Sequence, residues 1–289
     1  MQISETITRK SASNLALAFV LLPKAKRAGM CALYAFCREV DDVADDESVP
    51  VEQRRRQLSD WRHDIQAAYQ GATPQFAVTK ELAVIIRTYN LKHELFDELI
   101  RGVEMDLDTN RYETFSQLET YCYRVASVVG LLSIEIFGYQ NDKSREYAIC
   151  LGKALQLTNI LRDVRKDVEM GRIYIPLEQL RTFGVSTEDI LNKRYTPQYR
   201  DCARWVADRA HEFYAQARLL LPEEDRTAMS TAELMGSVYW KVLMKIETQE
   251  FNVFDYPAAK LSKSQKLRLV GSIWLRQLLG MRSTPYGTT

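Results

Sequence analysis

The sequence reads YAFCREVDDVAD at residues 34–45 and QLTNILRDVRKD at residues 156–167. In both stretches, apolar residues recur at spacings of three and four, which is typical of a helix. Each helix would carry four polar side chains on one face, within a sector of roughly 60°. They are Tyr34, Arg38, Asp41 and Asp45 in the first stretch, and Gln156, Asn159, Asp163 and Asp167 in the second. Polar faces inside apolar helical sequence predict a helical bundle around a polar site.

The paired carboxylates predict a metal site. Asp41 and Asp45 lie one helical turn apart, as do Asp163 and Asp167, and like charges at that spacing repel each other. A divalent cation would relieve this repulsion, and Mg²⁺ is the best candidate because it takes one or two carboxylates together with phosphate oxygens. Asn159 offers one more oxygen ligand. The neighbouring arginines suit a diphosphate because a guanidinium group matches phosphate oxygens in pairs.

Each acidic stretch also has a simpler interpretation. Five acids within residues 41–47 are typical of a solvated helix end. Asp163 and Asp167 could form surface ion pairs with the basic residues at positions 162, 165 and 166. Both stretches occur together in this chain, however, and the combination favours a site for metal and diphosphate.

Composition excludes several classes of protein. A chain of 289 residues with 46% hydrophobic residues can bury a sizeable core, and we interpret residues 1–289 as one domain. The net charge of +1 argues against a nucleic acid partner. The five cysteines are scattered without a CxxC spacing, and the three histidines lack an HExxH spacing, so we expect reduced cysteines and no zinc site.

Neither a secretory signal nor a membrane-spanning segment is expected from the sequence. Residues 1–10 include an acidic residue and precede no long apolar core, so we expect no secretory signal and a cytoplasmic protein. The longest apolar run, residues 15–22, ends at Pro23 and is far shorter than the roughly 18 residues that suggest a spanning helix. We therefore expect no transmembrane segment.

The rest of the chain predicts an all-α protein. It has only 12 glycines and 8 prolines, and strand-like alternation is hard to find. Helical patterns cover residues 24–46, 51–70, 76–88, 91–106, 114–138, 142–168, 196–220, 228–252 and 262–280. Glycine, proline and Asx residues fall between them, as expected of turns between helices.

Three motifs resemble the squalene and phytoene synthase family. They are residues 34–45, residues 121–130 (YCYRVASVVG), and residues 156–167 followed by GRIY at 171–174. The resemblance spans nearly the whole chain. It implies an isoprenoid synthase fold, which is a single-domain helical bundle with a central cavity. It also implies a prenyltransferase that condenses two identical prenyl diphosphates head to head.

The resemblance also implies roles for individual residues. Metal ligands for about three Mg²⁺ ions, with Mn²⁺ as a substitute, would be Asp41, Asp45, Asn159, Asp163 and Asp167. The substrate diphosphates would be bound by Arg38, Gln156, Arg162 and Arg172, with Tyr174 in the same motif. The tyrosines near the reacting carbons would be Tyr34, Tyr121 and Tyr239, and the apolar walls would include Val125 and Val129.

Two segments of the sequence indicate the substrate and the product. Residues 125–134 and 253–262 are most similar to bacterial presqualene diphosphate synthases of the hopanoid pathway, which favours farnesyl diphosphate and a squalene-type C30 product. The alternative is a phytoene synthase that condenses two geranylgeranyl diphosphates to a carotenoid precursor. A non-catalytic assembly factor on the same fold is a minor alternative. The sequence contains no GxGxxG motif after a strand, so it gives no support for a nicotinamide cofactor.

Two segments depart from the family pattern. Asn14-Leu15 stands where relatives often have Ser-Phe, and Tyr256-Pro257 stands where many have a basic residue, so Lys260 or Lys263 would substitute for it. Residues 260–282 combine basic and apolar residues, and such a helix could bind weakly to an anionic membrane surface. The stronger interpretation is a last helix packed on the bundle. Enzymes that use the apolar product downstream are further partner candidates.

Overall fold

The computed structural model describes residues 2–10, 18–262, 264–265, 268–272 and 286–287. No strand occurs among these residues, where one isolated bridge pairs Arg111 with Ile173. The prediction of an all-α fold is confirmed. The assignment of residues 1–289 to one domain stays a prediction.

The helices are named here in chain order. The first group is α1 (Gln2–Lys10), α2 (Lys24–Asp45), α3 (Val51–Tyr69), α4 (Ala77–Tyr89), α5 (His93–Asp108) and α6 (Phe115–Cys122). A π-helical segment (Tyr123–Ser127) joins α6 to α7 (Val128–Phe137). The second group is α8 (Lys143–Glu169), α9 (Leu177–Phe183), α10 (Thr187–Leu191), α11 (Pro197–Leu220) and α12 (Ser230–Thr248). Short 3₁₀ turns occupy Phe19–Leu21 and Glu223–Asp225.

Most predicted helices occur within a few residues of their expected bounds, but three short helices were not predicted. Helix α1 buries Ser4 and Thr8 rather than apolar residues, so it has no apolar periodicity to read. Helices α9 and α10 have only seven and five residues. The predicted helix 262–280 lies largely outside the described residues.

Local capping explains where several helices begin and end. The hydroxyl of Thr196 accepts a hydrogen bond from the Tyr199 backbone N–H, and Pro197 occupies the first turn, so α11 starts there. Thr114 and Gln117 form a capping box at the start of α6. Gly138, with φ of 75°, ends α7 in a conformation that suits glycine.

Helix α8 is the central element of the bundle. It packs against α11, α12, α7 and the π-helical segment. It buries Leu157, Leu161 and Val164, while Asn159 and Asp163 line a cavity on its other side. Helix α8 therefore supplies part of the core and part of the site.

The π-helical segment lies between two glycines. A Cβ atom on Gly152 of α8 would lie 2.6 Å from the Cα of Ser127, and one on Gly102 of α5 would lie 2.7 Å from the Cβ of Arg124. Larger residues at either glycine would therefore push the segment away. This close packing places Val125 in the cavity wall.

In the part of the chain that the structure describes, one helical stretch, Phe115–Phe137, is long and apolar enough by length and composition to cross a membrane. Its most apolar window is 56% buried inside the bundle. Its α7 part packs on α2, α5 and α8. These contacts identify it as a core helix of the bundle.

Candidate active site

A cavity of about 490 Å³ lies at the centre of the bundle. Its walls come from α2, α5, the α6–α7 region, α8 and α12. Six of the eight residues on the two predicted faces line it, namely Tyr34, Arg38, Asp41, Gln156, Asn159 and Asp163, and Arg162 lines it beside them. The remaining lining is mainly apolar and includes both predicted wall residues, Val125 and Val129. The predicted central cavity is therefore present, with a polar region and apolar walls.

Helix α2 brings an arginine and closely spaced carboxylates to the polar region. The Arg38 Nε donates to Asp42 Oδ2 at 3.1 Å, and its Nη1 lies 3.6 Å from Asp41 Oδ2. Burial, together with the charge of the nearby Asp45, raises the pKa of Asp41 to about 7. The arginine thus only partly offsets the crowding of negative charge.

Helix α8 supplies the facing amides and carboxylate. The Asn159 Nδ2 donates to Gln156 Oε1 at 3.2 Å, while the buried Oδ1 of Asn159 has no hydrogen-bond partner. The Arg162 Nε donates to Asp163 Oδ1 at 2.9 Å. The same guanidinium lies over the ring of Tyr239, 6.0 Å from its centroid. The ion pair that the sequence offered as an alternative for Asp163 is thus present, and it lies in the cavity rather than on an outer surface.

The loop after α8 closes around the ends of both acidic helices. The buried Arg172 donates from Nη1 to Asp45 Oδ1 at 2.9 Å, so it joins this loop to the end of α2. Burial raises the pKa of Asp167 to about 7, and the charge of Asp163 contributes. Asp45, Asp167 and Arg172 are not among the cavity-lining residues. The charge of Asp45 acts on the lining residue Asp41, and Asp167 is close enough to interact with the lining residue Asp163, whereas Arg172 is connected to them through Asp45.

A half-buried carboxylate on α5 was not predicted as part of the site. Asp106 accepts hydrogen bonds from the Tyr121 hydroxyl at 3.0 Å and from the Tyr174 hydroxyl at 2.7 Å. The two tyrosine rings stack with their centroids 5.2 Å apart. Burial raises the pKa of Asp106 to about 6. One sequence signal was available, because Asp106 follows the cavity residues Leu99 and Val103 at helical spacing.

The donor set suits Mg²⁺. Among the described residues, no three His, Cys, Asp or Glu side chains form a group that could hold a metal ion by themselves. The unpartnered Oδ1 of Asn159 nevertheless faces no protein donor, and the carboxylates of each acidic pair are crowded. Mg²⁺ completes such incomplete sets with substrate phosphate oxygens and water. The residues present therefore fit a metal that binds together with a diphosphate.

The other predicted residues differ in where they lie. Tyr34, Tyr121 and Tyr239 all line the cavity, whereas Tyr174 reaches the site through Asp106. Lys260 is exposed. The predicted departures at Asn14-Leu15 and Lys263 fall outside the described residues.

Comparison with known proteins gives a consistent set of relatives. The sequence pattern described as squalene/phytoene synthase matches residues 8–265. A presqualene diphosphate synthase of Rhodopseudomonas palustris is 36% identical over 259 residues, covering 89% of this chain and 91% of that protein. A 15-cis-phytoene synthase of Synechocystis is 33% identical over 287 residues, covering 95% of this chain and 84% of that protein.

Solved structures share the architecture. A dehydrosqualene synthase in complex with a ligand superposes with a TM-score of 0.86 at 29% identity, covering 96% of each chain. A squalene synthase of Alicyclobacillus acidocaldarius gives a TM-score of 0.78 at 29% identity, covering 87% of this chain and 94% of that one.

Proposed function

The chain belongs to the squalene/phytoene synthase family of prenyltransferases, and we propose that it condenses two farnesyl diphosphates head to head to presqualene diphosphate in a Mg²⁺-dependent reaction. The observation that carries this proposal is the cavity itself. Its polar region combines carboxylates, an unpartnered amide oxygen and arginines, and its other walls are apolar. A prenyl diphosphate matches this division, because its diphosphate is charged and its prenyl chain is apolar.

The arginines bind the diphosphates in this proposal. Arg38 and Arg162 lie in the cavity, and Arg172 lies beside Asp45 at its edge. Each now neutralises a carboxylate of the site, so a substrate with its metal ions would exchange these pairs for phosphate contacts. Gln156 contributes its amide to the same oxygens.

The acidic residues and Asn159 hold the metal. Asp41 and Asp45 form one set of ligands, and Asn159, Asp163 and Asp167 form the other. When bound, Mg²⁺ neutralises the diphosphate and makes it a better leaving group. About three ions would offset much of the negative charge of the carboxylates and of two diphosphates, and the arginines would offset more of it.

The reaction exchanges one carbon–oxygen bond for carbon–carbon bonds. The C1–O bond of the donor breaks and its diphosphate leaves with the bonding electrons. The C2–C3 double bond of the second substrate then attacks C1 of the donor. The donor C1 loses one proton to the released diphosphate, and the electrons of that C–H bond close the cyclopropane ring. The rings of Tyr34, Tyr121 and Tyr239 stabilise the positive charge through their π faces, and the apolar walls exclude water that would quench it.

Asp106 positions two hydroxyls beside this path. As the shared acceptor for Tyr121 and Tyr174, it fixes both hydroxyl groups and their stacked rings. The proposed effect is preorganisation, because fixed dipoles need not rearrange during the reaction.

The second candidate is phytoene synthesis from two geranylgeranyl diphosphates. The match to the 15-cis-phytoene synthase of Synechocystis favours it, because that match covers 95% of this chain. A third candidate, a non-catalytic assembly factor, is disfavoured because both acidic pairs are retained. We place the enzyme in the cytoplasm, with passage of its long-chain product, which has a charged head and an apolar body, to downstream isoprenoid enzymes at or near a membrane.

One assay distinguishes these functions. The purified chain is incubated with farnesyl or geranylgeranyl diphosphate in MgCl₂, in MnCl₂ or in EDTA; released diphosphate is measured, and the extracted product is identified by mass spectrometry. We expect diphosphate release and a C30 diphosphate from farnesyl diphosphate, without added NADPH, and no release in EDTA. A C40 product from the C20 substrate alone would support phytoene synthesis. Absence of turnover with either substrate would overturn the proposal.

A further inference from the structure

A tyrosine near the end of the chain is buried in the bundle. Tyr286 is 0% exposed, and its ring occupies the space beside Gly236 on α12. A Cβ atom on Gly236 would lie 2.6 Å from Cε1 of Tyr286, so only glycine leaves room for this ring. The ring of Tyr286 therefore packs into the space that the missing side chain of Gly236 leaves on α12.

The next residue provides a second attachment. The Gly287 carbonyl accepts a hydrogen bond from Arg218 Nη1 at 3.2 Å. Gly287 adopts φ of +72°, and a Cβ atom there would lie 3.2 Å from the carbonyl oxygen of Tyr214. The ring of Tyr286 also packs against that of Tyr214, with centroids 5.7 Å apart. Both described residues of this segment thus contact α11.

Tyr286 shares a buried acceptor with a tyrosine of α8. The Tyr147 hydroxyl donates to Glu233 Oε1 at 2.8 Å, and the Tyr286 hydroxyl donates to the same oxygen. Burial raises the pKa of Glu233 to about 7, and the two hydroxyl groups counter that rise. Loss of either hydroxyl would therefore leave the buried Glu233 with one donor fewer, which costs free energy and weakens its contact with the remaining tyrosine.

Tyr147 connects this cluster to the cavity. It lines the cavity wall, as do Thr231 and Met235, which flank Glu233 on α12. Tyr147 lies sixteen residues before Asp163 on α8, or about 24 Å along the helix axis. The cluster of Tyr147, Glu233 and Tyr286 therefore supports a distal wall, at the other end of α8 from Asp163.

We propose that Tyr286 is a positioning residue for substrate length: through Glu233 it fixes Tyr147, and Tyr147 limits how long a prenyl chain the cavity accepts. This inference rests on the proposed function. The polar region would hold the diphosphate at one end, so the distal wall would meet the last isoprene unit of the substrate. Removing the support from that wall would let longer chains fit.

The experiment measures kcat/KM for farnesyl and geranylgeranyl diphosphate in two pairs of variants. Tyr286→Ala removes the ring and the hydroxyl, and its control is Tyr256→Ala, at a tyrosine that is 48% exposed. Gly236→Ala displaces the ring sterically, and its control is Gly271→Ala, where a Cβ atom meets nothing within 4 Å. We expect both test variants to raise the C20-to-C15 ratio by about tenfold or more, the size of effect that one misfitting apolar group gives. Both controls should keep the wild-type ratio.

A double-mutant cycle tests the route through Glu233. Tyr147→Phe and Tyr286→Phe each remove one hydroxyl and keep the ring. We expect each variant to raise the C20-to-C15 ratio of kcat/KM. The double variant should raise this ratio by less than the product of the two single effects, because both hydroxyls act through Glu233. A loss of stability alone would lower both rates together and leave the ratio unchanged. An unchanged ratio in Tyr286→Ala and Gly236→Ala, in protein that remains folded and active, would overturn the inference. Inactivity of the wild-type chain with both substrates would instead overturn the proposed function.

Discussion

At the scale of single residues, the structure adds a carboxylate to the site that the motifs had missed. Asp106 on α5 accepts from Tyr121 of α6 and from Tyr174 of the loop after α8, so it joins three elements beside the cavity. An amide at this position can accept from one hydroxyl with its oxygen, but its nitrogen cannot accept from the other. Both oxygens of the carboxylate are therefore needed, one as the acceptor for each hydroxyl.

The first prediction follows from that geometry. Asp106→Asn should lower kcat about 100-fold, because misplaced groups near the reacting atoms cost rates of this order, while circular dichroism remains that of a helical protein. Asp108→Asn is the matched control, since Asp108 lies on the same helix and pairs with Arg55 at the surface. A wild-type kcat for Asp106→Asn would exclude a positioning role for Asp106.

The second prediction concerns the two acidic faces. Asp41→Asn and Asp163→Asn should each abolish turnover, because each removes a proposed metal ligand. Their melting temperatures in metal-free buffer should not fall much and should rise if repulsion dominates, because each substitution removes a charge from a crowded group. Asp46→Asn serves as the control, because Asp46 is exposed and bonds to Ser48. Normal turnover in either test variant at ordinary magnesium concentrations would contradict the proposed metal site.

At the scale of helices, the sequence predicted what lies within one element. The faces of α2 and α8 could be read directly, because residues three and four apart on one helix share a side. Residues of both faces line the same cavity, although Asp45 and Asp167 do not. Contacts between distant elements could not be read in this way: Asp106 with Tyr174 and Glu233 with Tyr286 depend on how the helices pack. The π-helical segment was missed because one extra residue in a turn leaves no clear mark on an apolar pattern.

The third prediction is that pH changes the stability that Glu233 contributes where α12 contacts Tyr147 of α8. Burial raises the pKa of Glu233 to about 7, above its value in the unfolded chain. The folded protein therefore holds this proton more tightly, and the stability gained from it is fully present below about pH 4.5 and is lost as the pH rises through 7. Glu233→Gln stays neutral at every pH and should remove this component. We expect the difference in melting temperature between wild type and Glu233→Gln to favour wild type more at pH 5 than at pH 8. The same difference at both pH values would refute a protonated Glu233.

At the scale of the whole molecule, composition and periodicity predicted an all-α bundle, and the family motifs implied its central cavity. Both are confirmed. The length of substrate that the cavity accepts could not be predicted, because it depends on the distal wall, where Tyr147, Glu233 and Tyr286 come from three distant parts of the chain. No motif marks such a cluster. Tyr286 also lies beyond residues 8–265, which carry the family pattern.

The fourth prediction concerns the membrane. Most of residues 260–282 lie outside the described residues, so the proposed contact rests on their sequence pattern. We expect weak co-sedimentation with anionic vesicles at low salt and release at high salt, because each basic residue near such a surface contributes about 1 kcal/mol. Lys263→Glu combined with Lys266→Glu should weaken it. Equal recovery of both proteins in the supernatant at low salt would remove the membrane contact.

The central claim is that two prenyl diphosphates join head to head with loss of one C1 proton. The most direct measurement uses farnesyl diphosphate that carries two deuterium atoms at C1 in every molecule, followed by mass spectrometry of the extracted product. We predict a C30 diphosphate that retains three of the four deuterium atoms, because the donor C1 loses one and the acceptor C1 keeps both. A product of one C15 unit that keeps both deuterium atoms, such as the hydrolysed alcohol, or a C30 product that keeps all four, would contradict the account.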